Sequence, residues 1–293
     1  MPVTKHSYEM TLSQIDELKK KSPDLISIFE CYENILKAQK ETGGSFKPEF
    51  THLDYTTCKK KHSDGLPFLN SENVKIQWDL LDTLAEQIND ITKPLAEQGE
   101  PEIESFPKLL SENSDTWHDI VLKSVLEDSL PLKELAEKTS VNFNTLLFIS
   151  SQSLSPFIEK YAEKLREYID SNIWLKGSCP VCGGEPLMGR LEEETGKRHL
   201  QCYLCRTNWE FARLECPFCD NNDQKKLHYF FDEDNQHQRV DFCDECKNYL
   251  KVIDTRKAGT NISVIAENLA TLPLDIVAKR EGFTRDTNKL FGL

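Results

Sequence analysis

The chain has 293 residues, with 36 lysines and arginines against 49 aspartates and glutamates, for a net charge of −13. That sign argues against a non-specific nucleic-acid binder, which needs a basic footprint to displace counterions. At 38% hydrophobic and 29% charged residues, the chain can bury a core as one large domain or two to three small ones. The opening MPVTKHSYEMTLSQIDELKKK has neither the apolar stretch of a secretory leader nor a twin arginine. No run approaches the ~18 apolar residues of a membrane span. A cytoplasmic protein without membrane insertion is expected.

Residues 1–175 read as successive helices. Ser22 caps and Pro23 opens one of them, with Leu25, Phe29, Tyr32 and Leu36 at helical spacing. Cys31 falls in that apolar pattern and reads as a core thiol. Residues 42–70 read as irregular, broken by Gly43-Gly44, Pro48, Gly65 and Pro67, with Cys58 as a loop thiol in a polar CKKKH stretch. A long helix follows, with Val74, Trp78, Leu81, Leu84, Ile88 and Ile91 on one face, and Pro94 ends or kinks it. Further helices are expected at 116–127, 131–138 and 142–151. Another has Ser155 as cap, Pro156 at its first turn, and Ile158, Tyr161, Leu165, Tyr168 and Ile169 as its stripe. All these stripes read as core.

From Gly177 to about residue 257, glycine, proline, cysteine and short aromatic runs replace the helical period. Helix returns in ISVIAENLATLPLDIVAKREGF, where Ile262, Ile265, Ala266 and Leu269 share a face and Pro273 kinks or divides it. Eight of the ten cysteines form C-x-x-C pairs: Cys179/Cys182, Cys202/Cys205, Cys216/Cys219 and Cys243/Cys246. In a reducing compartment such pairs are metal ligands far more often than disulfides.

The segment RTNWEFARLE between the second and third pairs alternates as a strand does. Ten extended residues span ~33 Å. Sulfurs on one tetrahedral ion must lie within ~4 Å of one another. Pairing is therefore expected in sequence: Cys179, Cys182, Cys202 and Cys205 on one ion, Cys216, Cys219, Cys243 and Cys246 on a second. Each intervening gap holds a hairpin, turning at 194–197 and at 232–235. A tight C-x-x-C turn aims two thiolates at one ion, and a residue tolerating positive φ eases it. Gly183 serves after Cys182, and Asn248 is expected to serve after Cys246. Four sulfurs suit zinc or iron, and sequence leaves the two open. His199, His228 and His237 are not needed as ligands, and Glu192–Glu194 reads as a solvated turn. No Ser-His-Asp set, P-loop or dinucleotide fingerprint is present.

The expected fold class is α+β: a helical domain over 1–175, two consecutive rubredoxin-like or zinc-ribbon modules over 176–214 and 215–257, and a C-terminal helix and tail over 258–293. The motifs CPVCGG (179–184), RHLQCYLCRTNWEFARLECPFC (198–219), DFCDECKNYLKVID (241–254) and ENLATLPLDIVAKREGF (267–283) resemble the FdhE family of formate dehydrogenase accessory proteins. The resemblance covers about residues 175–291. It implies a non-enzymatic cytoplasmic assembly factor for respiratory formate dehydrogenase, contacting the catalytic subunit before twin-arginine export. It implies the eight paired cysteines as ligands of two iron or zinc ions, and it leaves room for a homodimer. Arg206, Trp209, Arg213, Tyr249, Leu250 and Lys251 are the residues expected to shape a client-facing surface. Two departures stand out. The last knuckle, Cys243-Asp-Glu-Cys246-Lys247, lacks the family's glycine, and the tail NKLFGL lacks its proline. A rubredoxin-like electron carrier and a zinc-ribbon nucleic-acid module are the alternative readings.

Overall fold

The computed structural model describes residues 7–50, 53–95, 109–110, 112, 114–231, 235–259 and 261–285. The tail motif at 288–293 lies outside them, as do residues 232–234 of the expected second hairpin turn.

In the helical half, among the described residues, three helices open on side-chain caps. Ser7 accepts from the Met10 N–H to start α1 (Tyr8–Lys21). Asp54 accepts from the Thr57 N–H to start α3 (Tyr55–Ser63). Asn142 accepts from the Asn144 and Thr145 N–H groups to start α7 (Phe143–Leu165). Between them lie α2 (Ile26–Ser45), α4 (Trp78–Thr92), α5 (Ser114–Leu126) and α6 (Leu130–Thr139).

Several boundaries differ from the sequence reading. Pro23 opens a 3₁₀ turn over Pro23–Leu25, and Ser22 makes no capping bond. Helix α2 runs through Gly43-Gly44 to Ser45. Residues 55–63 are helical, and Cys58 is buried rather than a loop thiol. The composition misled because Lys59 and Lys60 are exposed while Cys58 and His62, four apart, share the inward face. Val74 is buried but precedes α4, which ends at Thr92 before a 3₁₀ turn through Pro94.

The largest correction concerns Ser155-Pro156. They do not start a helix; they lie inside α7, which is buried continuously from Leu146 to Glu159. A proline there cannot donate to the carbonyl four residues back. The Gln39 side chain from α2 supplies the missing donor: its Nε2 reaches the Gln152 carbonyl at 2.8 Å. With that acceptor satisfied, α7 continues and becomes the hub on which α2, α4, α5 and α6 pack.

Six strands then form one mixed sheet: β1 (Pro186–Leu191), β2 (Arg198–Cys202), β3 (Asn208–Phe211), β4 (Leu227–Phe231), β5 (Gln238–Cys243) and β6 (Tyr249–Asp254), in the order β3-β2-β1-β6-β5-β4. Each ribbon is an antiparallel three-strand unit. They join where β1 runs parallel to β6, pairing Gly189, Arg190 and Leu191 with Val252, Ile253 and Asp254. Strand β6, central and wholly buried, is therefore shared structure. Strand β3 spans only four residues before the chain turns at 213–214, so the ten-residue extended strand does not form.

A short helix α8 (Thr255–Ala258) leads to α9 (Val264–Ala270) and α10 (Leu272–Arg280), divided just before Pro273 as expected. The α9 start is tied to α1: Gln14 Nε2 donates to the Asn261 carbonyl at 2.9 Å and accepts, through Oε1, from the Ser263 N–H at 2.8 Å. Among the described residues, no helix is long and apolar enough to cross a membrane.

Replacing Gln39 by leucine should lower the unfolding free energy by ~1–3 kcal/mol, the cost of a stranded buried acceptor. The loss should shrink in a Pro156→Ala background, where residue 156 regains an N–H for Gln152. Urea titrations showing equal losses in both backgrounds would contradict this account.

Candidate metal centres

All four C-x-x-C segments fold alike. The N–H of each first cysteine donates to the carbonyl five residues on: Cys179 to Gly184 at 2.8 Å, Cys202 to Thr207 at 2.8 Å, Cys216 to Asn221 at 2.9 Å, and Cys243 to Asn248 at 3.0 Å. The residue after each second cysteine is left-handed: Gly183 at φ 76°, Arg206 at 58°, Asp220 at 57° and Lys247 at 57°. In the last knuckle that role falls to Lys247, not Asn248. The turn demands it immediately after the second cysteine, while the Asn248 carbonyl closes the loop. A left-handed side chain costs roughly 1–2 kcal/mol, and three of the four knuckles accept that cost.

The turns bring the sulfurs together in two groups. In the first, Cys179 lies 3.5 Å from Cys205, and Cys182 lies 3.4 Å from Cys202 and 3.5 Å from Cys205. In the second, Cys216 lies 3.7 Å from Cys246 and Cys219 lies 3.8 Å from Cys243. Metal–sulfur bonds of ~2.3 Å on a tetrahedron require sulfurs ~3.8 Å apart, so both sets fit one ion. The Leu204 and Cys205 N–H groups point at Cys202 Sγ at 3.4 and 3.5 Å, and Asn221 Nδ2 at Cys243 Sγ at 3.5 Å. Such donors spread thiolate charge. Burial pushes the Cys179 and Cys182 thiols well up, so their deprotonation calls for a cation, which is the chemistry this donor set fits.

The two groups differ in access. Cys179, Cys182, Cys202 and Cys205 are each 0% exposed. Helix α7 and the turn that follows it seal them: Ser155 Oγ donates to the Leu204 carbonyl at 2.6 Å, and Arg166 Nη2 to the Cys205 carbonyl at 2.8 Å. On another side, the Phe68 and Leu69 N–H groups donate to Pro180 and Val181 at 3.1 and 2.7 Å. In the second group Cys216 and Cys243 are buried, Cys246 is half-buried and Cys219 is exposed. The two knuckle regions touch at Gly177, where an added Cβ would lie 1.9 Å from the Pro217 carbonyl oxygen.

The histidines stand apart from the sulfurs. His228 lies 3.0 Å from Asp244 and His237 3.5 Å from Glu267, while His199 is half-buried on β2. Sequence reading missed Ser155 and Arg166, the residues that fasten the second knuckle to α7. Ser155 resembled a helix cap, and no local pattern marks Arg166.

Five of the six residues expected on a client-facing surface are buried: Arg206, Trp209, Tyr249, Leu250 and Lys251, with Arg213 alone exposed. Trp209 fills the ribbon and donates through Nε1 to the Lys176 carbonyl at 3.1 Å. Lys251, 0% exposed, meets Asp275 at 2.6 Å and the Asn268 carbonyl at 2.8 Å. Burial lowers its pKa to about 7 against the pull of Asp275. Tyr249 donates to the same Asp275 at 2.8 Å. Strand alternation alone does not reveal that α10 covers β6, which is why these side chains read as surface.

A helical domain fastened to a mixed sheet bearing two four-cysteine clusters defines a protein of the twin rubredoxin-like ribbon class. Residues 178–213 match the model of the FdhE central domain, and residues 214–291 match that of the FdhE C-terminal domain. Together the two matches take in residues 178–291, the part of the chain that carries both four-cysteine clusters. An FdhE homolog of Aquifex aeolicus is 24% identical over 97% of this chain and 95% of its own. Protein FdhE of Escherichia coli is 37% identical over 37% of this chain and 35% of its own length. The crystal structure of the FdhE protein from Pseudomonas aeruginosa matches the fold with a TM-score of 0.63 and 17% identity, over 98% of this chain and 97% of that one.

An organomercurial titration should release metal in two phases, the first equivalent coming from the cluster with Cys219 at the surface. Cys216→Ser should abolish the fast phase and leave the slow one, with Cys179→Ser doing the reverse. Simultaneous release of both equivalents would contradict the difference in access.

Proposed function

We propose that this protein is a non-enzymatic, cytoplasmic assembly factor for respiratory formate dehydrogenase that binds the catalytic subunit before export. The observation that carries the reading is the FdhE relationship over 178–291, with all eight paired cysteines of the two domains gathered into clusters. In this reading the eight cysteines bind two ions, iron or zinc. A set of four sulfurs completes the tetrahedron and leaves no position for substrate, which suits a structural role better than a catalytic one. The sealed first cluster holds the knuckles that α7 grips. The second, at the surface, lies where a partner could reach it. The net charge of −13 supports a protein partner over nucleic acid.

A second reading, an electron carrier with iron in the second cluster, draws on the exposure of Cys219, since outer-sphere transfer requires an approachable edge. Elemental analysis with visible spectroscopy separates the two, because a rubredoxin-type role requires iron and a reversible bleaching on reduction.

The tagged chain, expressed in formate-respiring cells, should co-purify the formate dehydrogenase catalytic subunit. Deleting its gene should lower formate oxidation at least tenfold, with recovery on complementation. Repeated absence of the subunit under mild conditions, together with normal activity in the deletion strain, would sink the proposal.

A further inference from the structure

The β4–β5 hairpin is covered unequally on its two faces. Phe230, Val240 and Phe242 pack on the α10 side with Ala278 and Phe283. The opposite face carries Tyr229 and Phe231, 59% and 42% exposed, with Asp241 and Arg239 across from them on β5. Here a cavity of about 130 Å³ opens between the hairpin and the 213–218 turn, with Cys216 and Cys243 of the second cluster on its lining. Small-molecule sites usually enclose ~300–1,000 Å³. This one has room for a single side chain.

Its charge runs against that of the chain. Three guanidiniums, of Arg198, Arg213 and Arg239, share the lining with two carboxylates, of Glu215 and Asp241. Asp241 is claimed by Arg239, at 2.8 Å, and by Arg198, at 3.7 Å. The Arg239 guanidinium also lies over the Tyr229 ring, 4.9 Å from its centroid. Arg198 is further occupied by the carbonyls of Ala212 and Glu215. Arg213 is exposed at the rim, where its charge is felt by Asp241, and among the described residues no hydrogen bond or ion pair engages it. An arginine fork with its N–H groups not hydrogen-bonded, beside an apolar slot, suits a planar carboxylate, which it can hold bidentately. Polyanionic nucleic acid would need a track of such cations, and the chain carries −13 overall.

The backbone adds a second recognition element. Strand β4 is the last in the sheet, so one row of its amide groups has no strand partner among the described residues. An extended segment can pair with such an edge while alternate side chains point into adjoining pockets.

We propose that this groove binds an extended acidic peptide segment, which adds to the edge of β4, rests apolar residues on Tyr229 and Phe231, and seats an aspartate or glutamate against Arg213. The inference rests on the assembly-factor reading only for the source of the segment, a client polypeptide.

A phage-displayed library of random decapeptides, panned on the full metal-loaded chain, tests it. The expected selection is a glutamate or aspartate among alternating apolar residues. By fluorescence anisotropy, a selected peptide should bind at least tenfold more weakly to Arg213→Glu, and N-methylation of alternate amides should abolish binding. Arg213 is exposed, so unchanged circular dichroism and metal content will show that the variant folds. No selection, selection without acidic preference, undiminished binding to Arg213→Glu, or preferential binding of a short single-stranded RNA would each overturn the proposal. The function reading is judged separately. Co-purification of the dehydrogenase subunit by Arg213→Glu at the wild-type level would leave that reading intact and deny the groove its client. Failure of the wild type to retain the subunit would sink the function reading, while peptide selection would still decide the groove.

Discussion

Two sets of four sulfurs, each confined to a few ångströms, are the constraint on which the C-terminal half depends. A three-stranded ribbon of four- to six-residue strands buries too little apolar surface to offset the entropy of ordering it. An ion held by its two knuckles would supply the missing free energy, because a preformed site is absent from the unfolded chain. Left-handed Arg206, Asp220 and Lys247 show how firmly the turns are dictated. A side chain is tolerated in the disfavoured region because the sulfur and carbonyl geometry allows no alternative.

The helical half serves the first of these clusters directly. A carbonyl left without a donor by Pro156 is satisfied from α2, and the helix so preserved presents Ser155 to the second knuckle, with Arg166 beyond its end. One buried chain of contacts thus runs from Gln39 to the sulfurs of Cys202 and Cys205. The second cluster has no such covering at Cys219. The same sulfur chemistry is placed once in a sealed interior and once at a surface, a division that suits one holding element and one approachable element.

The cysteine pairing was legible because spacing alone limits which sulfurs can meet. Extended length is not what separates the doublets: β3 runs for four residues and the chain then turns, yet each doublet completes a hairpin with its own partner knuckle. The amphipathic stripes of the helices were legible too, whereas the two caps read from sequence, Ser22 and Ser155, do not cap. What failed shared one cause, since tertiary contacts replaced a local signal. A remote glutamine overrode Pro156, inward-facing Cys58 and His62 overrode three lysines, and α10 turned the surface-looking Tyr249 and Lys251 into core. The union of both ribbons in one sheet carried no sequence mark at all, because parallel pairing of β1 with β6 depends on neither spacing nor turn chemistry.

That union has a geometric corollary. Each ribbon contributes its strands in the same sense, so the first strand of one abuts the third strand of the other, and no two-fold axis relates them. Head-to-tail joins of this kind, repeated between molecules, run on as rings or open filaments and do not stop at a pair. The outer strands β3 and β4 are the tail and head of a further such join. The four-residue length of β3 makes it a poor template, and short margins of this kind are how sheet proteins avoid stacking edge to edge. Brevity at β3 therefore protects against polymerisation, and a longer strand there would remove that protection.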